Sequence, residues 1–279
     1  MTDETAILDR YGVMGHPVSH SKSPVIHTLF AEQTDQHLKY ELLDVPRDKL
    51  DTAVRQFQRS GGRGLNITVP HKARVVRLVD ELSEEASIAG AVNTLVIEPE
   101  RIVGHNTDGV GLVRDLISNW DYSVGGKRIL VLGAGGATQG ILGPLLELSP
   151  EELVIANRNV DKAKALADHF GTLGEVRALK FGELRDGDTY DLIINATSAG
   201  LQGDTPPFPR NAIDRRSTAC YDLAYALRTT PFIAWAQQMD AARTRSGWGM
   251  LIEQAAESFR LWRGVMPDTG PVLKQLPVT

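Results

Sequence analysis

Two α/β domains are the fold class this sequence predicts, and three observations carry it. Apolar strand-like runs alternate with helical stretches, the pattern of strand–helix units around largely parallel sheets. The alternation begins afresh at Gly125-Gly126-Lys127, where the run Arg128–Leu132 leads into a glycine-rich turn. A length of 279 residues suffices for two domains of moderate size.

The elements follow from pattern and punctuation. In the first half, strands are expected near Gly12–Met14, Lys39–Leu43, Leu65–Val69, Val92–Ile97 and Arg101–Gly104. Helices are expected near Val25–Gln33, Arg47–Arg59, Lys72–Val79 and Val110–Ile117. The first of these has Ser23 as its cap and Pro24 at its first position, where a missing N–H costs nothing. In the second half, Arg128–Leu132, Leu153–Ala156 and Asp191–Asn195 read as strands, and Thr138–Leu148 and Asp161–Phe170 as helices. The stretch 203–209 carries three prolines and a glycine and reads as loop. Met250 to Trp262 places Leu251, Ala255, Phe259 and Trp262 at helical spacing, so the last long element is a helix.

Composition narrows the function. A net charge of -5 and a pI near 5.8 give no general attraction to nucleic acid or to an anionic membrane. The single cysteine, Cys220, excludes an intrachain disulfide and suits a reducing compartment. The acidic, polar start is unlike a secretory signal, and no apolar run is long enough to span a bilayer, so a cytoplasmic protein is expected. His16, His20 and His27 cluster without a His-Glu-x-x-His pattern, and no metal is expected; His20 and His27 are expected to make local hydrogen bonds.

Chemistry concentrates in a few blocks. If Leu65–Val69 is a strand, Asn66 and Thr68 share one face while Leu65, Ile67 and Val69 pack on the other, and Lys72 follows one short turn later. Ser21 and Ser23 stand two apart beside a helix start, an arrangement suited to a carboxylate. Capping explains Ser23 but not Ser21. Asn93 and Asp108 add an amide and a carboxylate next to strand-like runs. The turn Gly133-Ala134-Gly135-Gly136-Ala137-Thr138 lies between a strand and a helix, where a dinucleotide site requires it, although Thr138 fills the third glycine slot of the general fingerprint. At the next strand tip stand Asn157, Arg158 and Asn159, with Lys162 a turn on. An NAD enzyme places an acid there for the ribose hydroxyl, whereas a guanidinium pairs with a 2′-phosphate; NADP is therefore expected.

Taken together, these blocks resemble the shikimate dehydrogenase family over nearly the whole chain, from about Tyr11 to Gln275. The resemblance rests on the Ser-Lys-Ser-Pro, Asn-x-Thr-x-Pro-x-Lys and Asn-Thr-Asp-Gly blocks, the Gly-Ala-Gly-Gly-Ala turn and Gln254 in the last long helix. It implies NADPH-dependent reduction of 3-dehydroshikimate to shikimate, with Lys72 as proton donor paired with Asp108. It also implies that Asn66, Thr68, Asn93 and Gln254 read substrate hydroxyls, while Ser21, Ser23 and Tyr225 hold its carboxylate. Gly133 to Ala137, Asn157, Arg158, Asn159, Lys162, Thr197 and Gly249 would hold the cofactor. The implied organisation is a substrate domain, 1–107 plus 247–279, and a Rossmann-like NADP-binding domain, 108–246, with substrate in the cleft between them. A monomer and a homodimer are equally compatible with the sequence. Three positions depart from the family pattern: Thr28 for asparagine, Gln139 for arginine, which removes a charge near the cofactor phosphates, and Asn159 for threonine or serine. The alternatives are an NAD-dependent quinate/shikimate dehydrogenase, disfavoured by the missing acid, and a non-catalytic NADP-sensing module, disfavoured by retention of Lys72 and Asp108.

Overall fold

A computed structural model of the chain describes residues 8–184, 188–197, 212–226 and 229–276. The chain divides into two compact units, Met1–Thr107 with Gln254–Gln275 and Asp108–Glu253 with Leu276–Thr279. The loop expected over 203–209 lies outside the described residues.

The first unit runs β1 (Asp9–Gly15), α1 (Ser23–Gln33), β2 (Leu38–Asp44), α2 (Leu50–Arg59), β3 (Gly62–Ile67), β4 (Glu81–Leu82), α3 (Glu84–Ala89), β5 (Thr94–Ile97) and β6 (Ile102–His105). Its sheet has the order β2-β1-β3-β5-β6-β4. β1 pairs in parallel with β2 and β3, and β5 is antiparallel to both β3 and β6. Met14, Leu65, Ile67, Leu95 and Ile102 from the strands close on Leu50, Val54 and Phe57 of α2 in one buried cluster. α2 thus hides the apolar stripe its spacing predicts.

The second unit runs α4 (Asp108–Arg114), β7 (Arg128–Leu132), α5 (Gly136–Glu147), β8 (Glu152–Asn157), α6 (Val160–Phe170), β9 (Val176–Lys180), β10 (Leu192–Asn195), β11 (Ala219–Asp222), α7 (Pro231–Gln238) and β12 (Arg243–Ser246). α8 (Trp248–Arg263) follows, and α9 (Thr269–Gln275) closes the described chain. All six strands of this sheet are parallel, in the order β12-β11-β10-β7-β8-β9. This is the doubly wound order, whose reversal point lies between β7 and β10. Uninterrupted apolar runs such as Ile129–Leu132 suit strands covered on both faces. Among the described residues, no helix is long and apolar enough to cross a membrane.

Four expectations are corrected. Lys72–Val79 is not an α-helix: only a 3₁₀ turn, Val75–Arg77, forms there. The Lys72 carbonyl that an α-helix would give to Val76 instead accepts the Val92 N–H at 2.9 Å, which ties this segment to the edge of β5. The strand expected to Val69 stops at Ile67, and Val69 is 52% exposed rather than packed. Ser23 is not a cap: Lys22 takes the cap position, and no side-chain capping bond is made. His27 makes no local hydrogen bond; its ring is buried, both nitrogens lack a partner, and it stacks on Tyr40 with centroids 4.3 Å apart. Burial among aromatic rings pushes its pKa down to about 3. Smaller shifts of boundary accompany these: Arg47–Lys49 is a 3₁₀ turn ahead of α2, and α4 opens at Asp108 and continues as a π-helical turn, Asp115–Asn119.

Candidate active site

In the first unit the C-terminal ends of β1 and β3 and the start of β5 gather polar side chains on a scaffold of buried apolar strands. The Ser21 hydroxyl lies 3.2 Å from that of Ser23 and accepts the Ser23 backbone N–H at 3.3 Å. The Ser21 hydroxyl is the donor of that pair, and both hydroxyls stand together at the start of α1. Thr68 follows Asn66 by two positions, its N–H bonded to the Met14 carbonyl at 3.0 Å, so β1 fixes where it emerges from the strand. Lys72 is half-buried on the turn after Pro70, held by the Val92 bond to its carbonyl.

Asn66, Asn93 and Gln254 are brought together by three hydroxyls that sequence reasoning missed. Asn66 Nδ2 donates to Ser258 Oγ at 2.9 Å and to Thr94 Oγ1 at 3.1 Å, and its Oδ1 accepts from Tyr40 at 2.7 Å. Asn93 Nδ2 donates to Thr107 Oγ1 at 2.9 Å, and its Oδ1 accepts from the Thr107 N–H at 2.8 Å and from Thr94 Oγ1 at 2.9 Å. Gln254 Oε1 accepts from Asn93 Nδ2 and from Thr107 Oγ1, each at 3.4 Å. Gln254 is therefore not a solvated helix residue. A faint signal for Ser258 existed, since it follows Gln254 by one helical turn and shares its face.

In the second unit, β7 delivers the chain into the glycine turn. Gly133 has φ +107°, and a Cβ there would stand 3.2 Å from the Ala196 carbonyl carbon and oxygen and from Thr197 Cγ2. Only glycine takes that conformation without strain. Gly135, at the start of α5, has open space around its Cα, as a backbone that receives a ligand requires. Thr138 in the third slot is buried and donates from Oγ1 to the Gly133 carbonyl at 3.0 Å, closing the turn by a hydrogen bond. The turn, with the first N–H groups of α5, fits a pyrophosphate.

The tip of β8 sits beside this turn, because Gly133 N–H bonds the Ala156 carbonyl at 2.8 Å. Arg158 and Lys162 are exposed there. Asn159 caps α6 through its Oδ1, which accepts the Asp161 N–H at 3.0 Å, and Asn157 Nδ2 donates to the Asn159 carbonyl at 2.8 Å. Thr197 Oγ1 bonds Asn195 Oδ1 at 2.7 Å, and Asn195 Nδ2 bonds Asp222 at 2.9 Å, so the ends of β10 and β11 are tied beside Gly133. Burial raises the Asp222 pKa, against three hydrogen bonds, from Thr230, Ala224 and Asn195, that lower it.

Gly249 and Tyr225 have local reasons for their places. A Cβ at Gly249 would overlap Asp115 Oδ1, 1.8 Å away, so glycine is required by the packing of α8 on the π-helical turn. Asp115 is fully buried, bonded to Tyr221 at 2.6 Å and held in a bidentate pair by Arg245 at 2.9 and 2.6 Å. Nothing in the sequence marks this network. Tyr225 rests against Trp248, ring centroids 5.7 Å apart. Asp108 is the buried first residue of α4.

Three family models match the chain: shikimate dehydrogenase substrate binding domain over residues 13–95, shikimate / quinate 5-dehydrogenase over 116–211, and shikimate 5′-dehydrogenase C-terminal domain over 247–276. A shikimate dehydrogenase (NADP(+)) of Alkalilimnicola ehrlichii is 51% identical over 96% of this chain and 98% of its own. Among solved structures, an Ael1 enzyme from Pseudomonas putida is similar with a TM-score of 0.88 and 44% identity, covering 97% of this chain and 100% of that one. The shikimate 5-dehydrogenase of Thermus thermophilus, in complex with NADP(H) and shikimate, has a TM-score of 0.84 and 33% identity over 96% of this chain and 98% of its own.

Proposed function

The chain belongs to the shikimate dehydrogenase family, and we propose that it reversibly reduces 3-dehydroshikimate to shikimate with NADPH, a step toward chorismate and the aromatic amino acids. The observation that carries this reading is the pairing of two built surfaces on one chain. One is the cluster of Asn66, Asn93 and Gln254 on the same unit as Lys72; the other is the Gly133 turn with Arg158 at the neighbouring strand tip.

Bound NADPH supplies the hydride. The Lys72 ammonium gives its proton to the carbonyl oxygen as negative charge develops there, and takes it back from the hydroxyl in the reverse direction. The Asp108 carboxylate keeps that ammonium charged and oriented. Ser21 and Ser23, with Tyr225, bind the substrate carboxylate through hydroxyl donors. Asn66, Thr68, Asn93 and Gln254 read the ring hydroxyls, through amide and hydroxyl groups that between them supply donors and acceptors.

On the cofactor side, the Gly133-Ala134-Gly135-Gly136-Ala137 backbone receives the pyrophosphate. Arg158 pairs with the 2′-phosphate, supported by Lys162 and by Asn157 and Asn159. With its Oδ1 engaged in capping α6, Asn159 offers Nδ2 as the phosphate donor. Thr197 and Gly249 line the same site. The substrate domain takes residues 1–107 and 247–279, and the nucleotide domain residues 108–246. The protein acts in the cytoplasm, as a monomer or homodimer. The test is product identification: 3-dehydroshikimate and NADPH should give shikimate and NADP in equal amounts. Absence of shikimate from that mixture would overturn the reading.

A further inference from the structure

The three amides assigned above to substrate hydroxyls share one buried hydroxyl cluster. Thr94 Oγ1 and Ser258 Oγ are 2.8 Å apart, Ser258 and Thr107 Oγ1 3.3 Å, and Thr94 and Thr107 3.5 Å. All three residues are fully or almost fully buried, with 0–2% of their surface exposed. A hydroxyl has one proton to give and two lone pairs to receive with. What orients an amide beside it is where each hydroxyl's single proton goes, and the Ser258 proton goes to the Gln254 carbonyl.

The arrangement of partners follows from that count. Asn66 presents Nδ2, and so spends both of its protons on Ser258 and Thr94, while Tyr40 donates to its oxygen. Its role toward a ligand is then that of an acceptor, through the remaining lone pair of Oδ1. Gln254 presents Oε1 to Asn93 and Thr107. Ser258 also donates to the Gln254 carbonyl at 3.0 Å, and thus touches the backbone of one reader and the side chain of another. Without the Ser258 oxygen, that Asn66 proton keeps only the longer contact to the Asn93 carbonyl, at 3.4 Å, in a buried site. A flipped Asn66 would set its oxygen against Ser258 Oγ, whose single proton already goes to the Gln254 carbonyl.

We propose that Ser258 is a positioning residue that sets the amide orientation of Asn66, and thereby the recognition of a ring hydroxyl; this rests on the shikimate reading above. Ser258→Ala should raise KM for shikimate by about 3- to 10-fold, the value of one neutral hydrogen bond. Its effect on kcat should be smaller, and KM for NADP should not follow the shikimate change. Selectivity gives a sharper readout. The wild-type preference for shikimate over analogues each lacking one ring hydroxyl should shrink for one of these analogues in Ser258→Ala and recover in Ser258→Thr. Thr94→Val, which removes the second partner of the same Nδ2, should shrink the preference for the same analogue, and it decides the matter if Ser258→Ala fails to fold. Unchanged KM and unchanged selectivity in folded Ser258→Ala or Thr94→Val would overturn the proposal, including when the melting temperature falls. A wild type that does not oxidise shikimate at all would overturn the functional reading instead, and is seen before any variant is made.

Discussion

Gly133→Ala and Gly135→Ala add the same methyl group two residues apart, and the two variants should fail in different ways. At Gly133 the new Cβ meets the Ala196 carbonyl at 3.2 Å and forces a side chain onto φ +107°. A non-glycine residue in such a conformation costs about 1–3 kcal/mol, before any shift of β10 to relieve the contact. For a chain of this size that is a loss of roughly 2–5 °C in melting temperature. At Gly135 φ is −108° and no heavy atom lies within 4 Å of the added Cβ. Alanine is a poorer cap than glycine by several tenths of a kcal/mol, and lower unfolded-state entropy returns about 0.4–1 kcal/mol. Stability of Gly135→Ala should therefore stay within about 0.5 kcal/mol of wild type. The same open space is where a pyrophosphate would rest on the backbone. A methyl group placed there should weaken NADP binding by at least about 10-fold, or roughly 1.4 kcal/mol. Thermal melting without ligand, followed by calorimetric titration with NADP, separates the two effects. A Gly135→Ala variant that binds NADP as wild type does would refute the assignment of this turn to the cofactor. A Gly133→Ala variant with wild-type melting would refute the strain.

Lys72→Ala should keep the fold and much of the shikimate affinity while losing about 10²–10⁴-fold in kcat, the usual contribution of a positioned proton donor; near-normal turnover would make Lys72 structural. Replacing Ser21 and Ser23 together with alanine should raise KM for shikimate strongly, each hydrogen bond to a carboxylate being worth roughly 1.5–3 kcal/mol. Because the pair makes only one bond to the α1 backbone, the long Ser23 N–H to Ser21 contact at 3.3 Å, the melting temperature should change little, and a large fall with unchanged KM would contradict the carboxylate role. Arg158→Ala should weaken NADP by about 10- to 150-fold and NAD much less; equal losses in parallel titrations would count against a 2′-phosphate contact. His27 is buried neutral with a pKa near 3, while the unfolded chain binds its proton near the ordinary value of 6.5. Its depressed pKa means the folded state is fully favoured above about pH 6.5 and loses stability progressively as pH falls toward 3. At about pH 5 the loss from this one group is roughly 2 kcal/mol, and His27→Phe, which keeps a ring against Tyr40, should remove it from urea unfolding curves measured at about pH 7 and about pH 5. Identical pH dependence in the two proteins would place the acid sensitivity elsewhere.

Where hydrophobic period and turn residues agree, the sequence is a good guide. β7, α5, β8 and α6 are found at the expected places because apolar runs of a buried parallel strand and the Gly133 turn leave little choice. β12, by contrast, reads Arg-Thr-Arg-Ser: an edge strand held by backbone pairing to β11, with no apolar pattern to announce it. α3 carried its signals, Ser83 as cap, two glutamates in the first turn and Gly90 in a left-handed stop, but six residues are too few for a period to emerge. Lys72–Val79 misled because a lysine, alanine and arginine start looks helical, whereas the decisive bond, Lys72 carbonyl to Val92, is set by a segment far along the chain. The site shows the same division. Asn66 stands out between Leu65 and Ile67, and Asn93 and Gln254 through the motifs they sit in. Thr94, Thr107 and Ser258 do not, since each directly follows another polar residue and gives no hint of the partners that only tertiary folding supplies. Gly249 is visible as a glycine, but its reason, the carboxylate of Asp115 pressed against it, depends on Arg245 and Tyr221, far from Asp115 in the chain.

The central claim is tested most directly by catalytic efficiency measured four ways, with shikimate and with quinate, each with NADP and with NAD. Shikimate with NADP should exceed each of the other three combinations. No oxidation of shikimate with either cofactor, or a higher kcat/KM with NAD than with NADP, would contradict it.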